Sequence, residues 1–171
     1  EVPIDMLPKL EGRDDIAVLD DYLPVLAMTP VVFFNARVDE EKNDLIPENC
    51  RRITECGIPP TFFEDVHVRK AFAYAFDYRS YWYALWEARF ERAPTFVMPD
   101  CAAVGPIPKA LPTYYNPEQE KYYYDPGKAI SELRQAWGGQ LWETGFTLTI
   151  PYRENSKRDK IIADIFKASI E

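Results

Sequence analysis

Asp65 stands immediately before the strongest periodic signal in the chain. Val68, Ala71, Phe72, Ala75 and Phe76 recur at the i, i+3, i+4, i+7, i+8 spacing that lines one face of an α-helix. An aspartate in front of such a run accepts a hydrogen bond from one of the helix's first free N–H groups. The combination predicts a helix from Val66 to about Phe76 with one buried stripe, which is core rather than site. Other elements must cover that stripe, and two more helices show the same start signals. Asp125-Pro126 offers a cap followed by a proline at the first helical position, where its missing N–H is not needed. Ala129, Ile130, Leu133, Ala136 and Trp137 then form an inner face until Gly138-Gly139 stops the helix. Asn155 or Ser156 caps a last helix with the stripe Ile161, Ile162, Ile165, Phe166 and Ile170. Between these lies a helix from Arg79 to about Phe90, rich in aromatics (Tyr81, Trp82, Tyr83, Trp86) and ended by Pro94.

Strand signals alternate with the helical ones. Phe146, Leu148 and Ile150 alternate with Thr147 and Thr149, the period-two pattern of a strand with one buried face. Val31-Val32-Phe33-Phe34, set between Pro30 and Asn35, reads as a buried strand, and Ile16-Ala17-Val18-Leu19 as another. Ile4 to Leu10 suits a short helix interrupted by Pro8. Residues 37–63 are polar, charged and proline-bearing, and read as a surface excursion with one helical turn near Cys50. From Pro94 to Pro117 the chain is an ordered loop pinned by Phe96, Val97, Met98, Tyr114 and Tyr115. Mixed strands and helices predict the α/β class, as part of a larger unit.

Charge excludes several functions. With 28 acidic against 20 basic side chains the net charge is -8, whereas a nucleic-acid binder needs a clustered basic face to displace counterions. An anionic membrane surface is disfavoured for the same reason. The longest uncharged stretch, Tyr22 to Ala36, is broken by Pro24 and Pro30 and falls short of the roughly 20 apolar residues a membrane-spanning helix requires. The first residues, Glu1-Val2-Pro3-Ile4-Asp5, lack the basic and apolar regions of a signal peptide.

No catalytic constellation emerges. The sole histidine, His67, reads as a helix-start residue, and without a C-x-x-C pair a zinc site is poorly supported. No serine lies in a G-x-S-x-G context, and no glycine-rich phosphate loop occurs. The carboxylate pairs Asp14-Asp15, Asp20-Asp21 and Glu40-Glu41 are adjacent in sequence and read as solvated surface. Cys50 and Cys56 are either free thiols, like Cys101, or close a short disulfide loop if the backbone turns between them. Aromatics are abundant, with 4 Trp, 11 Tyr and 10 Phe. Those outside helix stripes, such as Tyr22, Tyr114, Tyr115, Tyr122, Tyr123, Tyr124 and Tyr152, either line a pocket or cover loops with wet hydroxyls. The loop Tyr152–Arg158 joins arginines to the free N–H groups of a helix start, which suits an anionic group such as a carboxylate.

The order of segments carries a resemblance. Asp65-Val66-His67-Val68-Arg69-Lys70-Ala71 followed by Tyr74-Ala75-Phe76-Asp77 resembles the D-x-x-V-R-x-A signature of extracellular solute-binding proteins, family 5, the peptide- and nickel-type receptors of ABC importers. Phe33-Phe34-Asn35 upstream is similar to the family's "F-N" strand, and Tyr124-Asp125-Pro126-Gly127-Lys128-Ala129 with Leu133 to its "D-P-x-K-A" helix. The resemblance implies two α/β lobes joined by a hinge that close on a ligand. It makes residues 1–171 a partial second lobe, without the first lobe or the C-terminal segment. The implied protein is the non-enzymatic substrate-binding component of an ABC importer. It would capture oligopeptides or dipeptides outside the membrane, in the periplasm or lipid-anchored at the cell surface. As a monomer it would deliver them to the permease subunits, with no cofactor, metal or nucleic acid. An oligosaccharide or nickel chelate is the alternative ligand, and a hydrolase lobe a further one. Position relative to the family cleft selects Tyr152, Arg153, Asn155, Ser156 and Arg158 as ligand-binding, Arg158 as the carboxylate partner, with Trp82, Trp86, Met98 and Asp100 behind them. Export would also favour a Cys50–Cys56 disulfide.

Overall fold

The computed structural model of the chain describes residues 7–10, 13–16, 32–43, 51–54, 57–90, 107 and 113–171. Among the described residues six α-helices follow one another: α1 (Leu7–Leu10), α2 (Val66–Ala75), α3 (Tyr78–Phe90), α4 (Pro126–Leu133), α5 (Gln140–Thr144) and α6 (Lys157–Ile170). The chain divides into two compact units, Glu1–Val31 with Tyr78–Tyr122, and Val32–Asp77 with Tyr123–Glu171.

In the first unit the described helix α1, Leu7–Leu10, contains Pro8. Residues 4–6 lie outside the described residues. Along α3, Tyr81 is buried and meets the Trp82 ring edge-on at 5.8 Å, while the Arg79 guanidinium lies 5.6 Å over Tyr83. Burial, and secondarily the neighbouring Tyr122, push the Tyr78 phenol up to about 12.

The second unit is built on α2. Asp65 adopts an extended conformation and its carboxylate accepts the His67 N–H at 2.7 Å, so the helix starts where the cap predicts. The expected stripe is the core: Val68, Ala71, Phe72, Ala75 and Phe76 are all buried. Phe76 already lies past the helix end, with extended backbone, and is held by ring contact with Phe166 at 5.0 Å. Phe72 sits at the centre of a phenylalanine cluster, with the rings of Phe34, Phe62, Phe63, Phe146 and Phe166 at centroid distances of 5.9, 6.3, 5.2, 6.3 and 5.8 Å. Part of the chain's phenylalanine content is therefore core material. Burying one such ring contributes about 1.5–3 kcal/mol, and ring pairs at these separations add to it.

Helix α4 corrects one expectation. Asp125 caps it through the Lys128 N–H at 3.0 Å and Pro126 takes the first position, but the helix ends at Leu133. Ala136–Gly139 form a separate 3-10 turn that leads into α5, a helix the periodicity does not reveal. Ile130, expected on the inner face, is 40% exposed, because the short helix aims Ala129 rather than Ile130 at α2. In α6, Ser156 rather than Asn155 is the cap, accepting the Asp159 N–H at 3.2 Å. Of the α6 stripe only Phe166 is buried, joined by Ala163; Ile161, Ile162, Ile165 and Ile170 are half-buried.

The described part of the molecule is helical, and no strand ladder is formed among the described residues. The expected strands at 31–34 and 146–150 are therefore not observed as strands. Val32 and Phe33 are 42% and 84% exposed, while Phe34 turns into the core against Phe63 at 5.0 Å. Along 146–150 burial still alternates, with Phe146, Leu148 and Ile150 half-buried and both threonines exposed. The physical reason is that a strand is defined by hydrogen bonds to a neighbour, which a local pattern cannot provide. Ile16 is 37% exposed, and residues 17–19 lie outside the described residues. The segment 37–63 returns on itself through Val38 N–H to the Pro60 carbonyl at 3.0 Å and a bridge between Thr54 and Gly57. It also sends Ile53, Ile58 and Phe62 into the core. Cys50, Cys56 and Cys101 lie outside the described residues.

Candidate functional site

Segment 145–152 and α6 face each other across a cleft of about 880 Å³. Its apolar walls include Leu141, Phe146, Leu148, Ile150, Phe166 and Ile170, and Asp164, Lys167 and Glu171 supply its charged groups. Tyr152, 48% exposed, borders it. From α6 the apolar side chains that line this opening are Ala163, Phe166 and Ile170.

Just beyond Tyr152, the α6 N-terminus organises its own charges. Arg153 clamps Asp159 with Nε to Oδ2 at 2.6 Å and Nη2 to Oδ1 at 3.3 Å. That guanidinium first, and the Ser156 hydroxyl second, hold the Asp159 carboxyl below its usual range, and Arg153 is raised in turn. Asp159 also places negative charge in the first turn, where the helix dipole favours it. Asn155 and Arg158 are exposed, and Arg158 makes no ion pair among the described residues. Lys160 pairs with Asp164 at 2.6 Å, which raises its ammonium, with Tyr152 contributing a smaller share.

The structure therefore gathers Tyr152, Arg153, Asn155, Ser156 and Arg158 at one end of α6. Ser156 is committed to the cap and Arg153 to Asp159, and Tyr152, Asn155 and Arg158 are left presented to solvent. Trp82 belongs to the other unit, half-buried against Tyr81. The Trp86 side chain, Met98 and Asp100 lie outside the described residues. Asp159, which sequence reasoning missed, was legible as the fourth residue of a Ser-x-x-acid capping box. Among the described residues, no group of three or more His, Cys, Asp or Glu side chains could hold a metal ion. His67 Nδ1 instead meets Glu132 Oε2 at 2.6 Å. No helix among the described residues is long and apolar enough to cross a membrane.

The two motif segments meet each other, and Leu133 of the second also lines the cleft. The Asp125 N–H donates to the Tyr74 carbonyl at 2.9 Å, and Lys128 lies 5.1 and 4.6 Å over the rings of Tyr74 and Tyr123. Lys128 also donates to the Tyr123 hydroxyl, the main reason its ammonium is raised. Arg69 donates to the carbonyls of Phe63 and Glu64. Tyr74, Asp125 and Lys128 thus fasten α2 to the start of α4, while Arg69 holds the turn that precedes α2. Residues 1–171 match, over their whole length, the sequence profile of bacterial extracellular solute-binding proteins, family 5, middle region. The chain belongs to that family. No curated protein and no solved structure matches it. Membership places the chain among extracellular proteins with a solute-binding role in transport.

Proposed function

We propose that the chain is part of the second lobe of a mixed α/β, two-lobed receptor that captures oligopeptides or dipeptides outside the membrane and hands them to an ABC permease. The observation that carries this reading is the family match over residues 1–171. The alternating burial along 146–150 supports a strand there in the complete lobe. Binding is non-enzymatic, through main-chain hydrogen bonds and charge pairing at the ligand ends, with lobe closure excluding water. Arg158 is the carboxylate partner, since it is exposed at the helix start while Arg153 is engaged by Asp159. Tyr152, Asn155 and Ser156 frame it, and Trp82, Trp86, Met98 and Asp100 are further contacts.

Native mass spectrometry of the complete parent protein, purified without refolding, tests the proposal. A co-purifying peptide or set of peptides supports it, and Arg158→Ala then weakens peptide binding by about tenfold or more. A bound sugar or metal chelate keeps the receptor and replaces the ligand. Turnover of a bound peptide overturns the non-enzymatic reading.

A further inference from the structure

The carboxylate of Asp65 has two oxygens, and they serve different parts of the chain. Oδ1 accepts the His67 N–H at 2.7 Å and starts α2. Oδ2 accepts the Trp137 N–H at 2.6 Å, from a residue far along the sequence. Trp137 is left-handed, with φ 53° and ψ 40°, and is the one non-glycine residue of positive φ among those described. A bulky L-residue avoids that conformation because its Cβ crowds the backbone, so something outside the turn must hold it there. Gly138 and Gly139 continue the corner at φ 64° and 92°, and Gly139 is the residue from which α5 departs. The corner therefore decides the direction of α5, whose Leu141 and Trp142 form one end of the cleft wall. A second bond, from the Trp137 indole Nε1 to the Phe62 carbonyl at 3.3 Å, anchors the side chain to the turn preceding Asp65.

We infer that Asp65 is a positioning residue: its second carboxylate oxygen pins the left-handed corner at Trp137 and so sets α5 as a wall of the cleft, whatever solute the protein takes. The His67–Glu132 bond ties α4 to the start of α2 independently, so the corner can loosen while the two helices stay joined. Serine is itself a good cap but offers a single oxygen, so Asp65→Ser keeps the start of α2 and releases Trp137.

Hydrogen–deuterium exchange on the full chain separates these roles. In Asp65→Ser, amides 138–145 exchange about tenfold or more faster while those of α2 and α4 stay as in the parent. Unchanged exchange at 138–145 overturns the inference, as does a uniform acceleration across the unit, which means general destabilisation only. Should Asp65→Ser fail to accumulate, the unsubstituted chain decides the matter by a through-hydrogen-bond NMR coupling between the Trp137 amide nitrogen and the Asp65 carboxyl carbon. Its presence supports the clasp and its absence overturns it.

Discussion

Helices α2 and α6 both start behind a side-chain oxygen, and the two starts are built for different neighbours. At α2 the capping carboxylate is half-buried, and the first turns are stitched to α4 and to the corner at Trp137 by bonds that cross long stretches of chain. At α6 the charged bonds among the described residues stay within the helix or reach back a few residues, as with Ser156, Arg153 and Asp159. One start is a junction of the fold and the other is self-contained at the surface. Self-containment leaves Tyr152, Asn155 and Arg158 unneeded by the fold, and such side chains are the ones a ligand or a partner protein can recruit.

The contrast breaks most easily at the aromatic core beneath α2. Phe72→Ala is expected to cost about 3–5 kcal/mol, since the surrounding rings cannot collapse into the space; urea unfolding measures it. A cost near that of an exposed substitution would show the cluster to be loosely packed. Next come the two caps compared directly. Asp65→Ala loses the cap and leaves the Trp137 N–H without its partner, for about 2–3 kcal/mol, whereas Ser156→Ala loses a cap alone, for about 1 kcal/mol. Equal losses would remove the distinction between junction and surface start. Arg153→Ala should leave unfolding close to the parent in physiological salt, because an exposed pair is weak and screened.

The smallest expected effect concerns acid. Because the folded Asp159 carboxyl lies below its usual range, the stability it contributes is complete above the unfolded value near about 4 and is lost as pH falls through the folded value. Asp159→Asn removes that limb, so the difference between variant and parent should shrink as the solution is acidified. A difference that persists unchanged at low pH would assign Asp159 another role.

The helices were legible because caps and stripes are local: Asp65 with Val68 and Phe72, Asp125 with Pro126, and Ser156 with Phe166 each lie within a few turns. What escaped the sequence depends on distant partners. Trp137 carries no local sign of a left-handed conformation, since the carboxylate that accepts its N–H belongs to Asp65, far away in the sequence, and α5 follows from that corner. That Ala163, Phe166 and Ile170 of α6 line a cleft opposite 145–152 could not be read from the stripe alone. At 146–150 the period was visible in the residues and the pairing was not, because pairing belongs to two segments at once. For the site, the arginines of 152–158 were visible as residue types, but their division into Arg153, already engaged, and Arg158, exposed, required Asp159.

The bond between His67 and Glu132 also equips the molecule with a reporter. A chain of 171 residues with one histidine yields one set of imidazole resonances, and here that signal comes from the seam where α2 meets α4. Anything that slides one helix along the other, whether solute capture, docking on a membrane complex or crowding inside a cell envelope, displaces that line without any label being introduced. The protein can thus be watched at its most tightly joined point, in the native state, by reading a single peak.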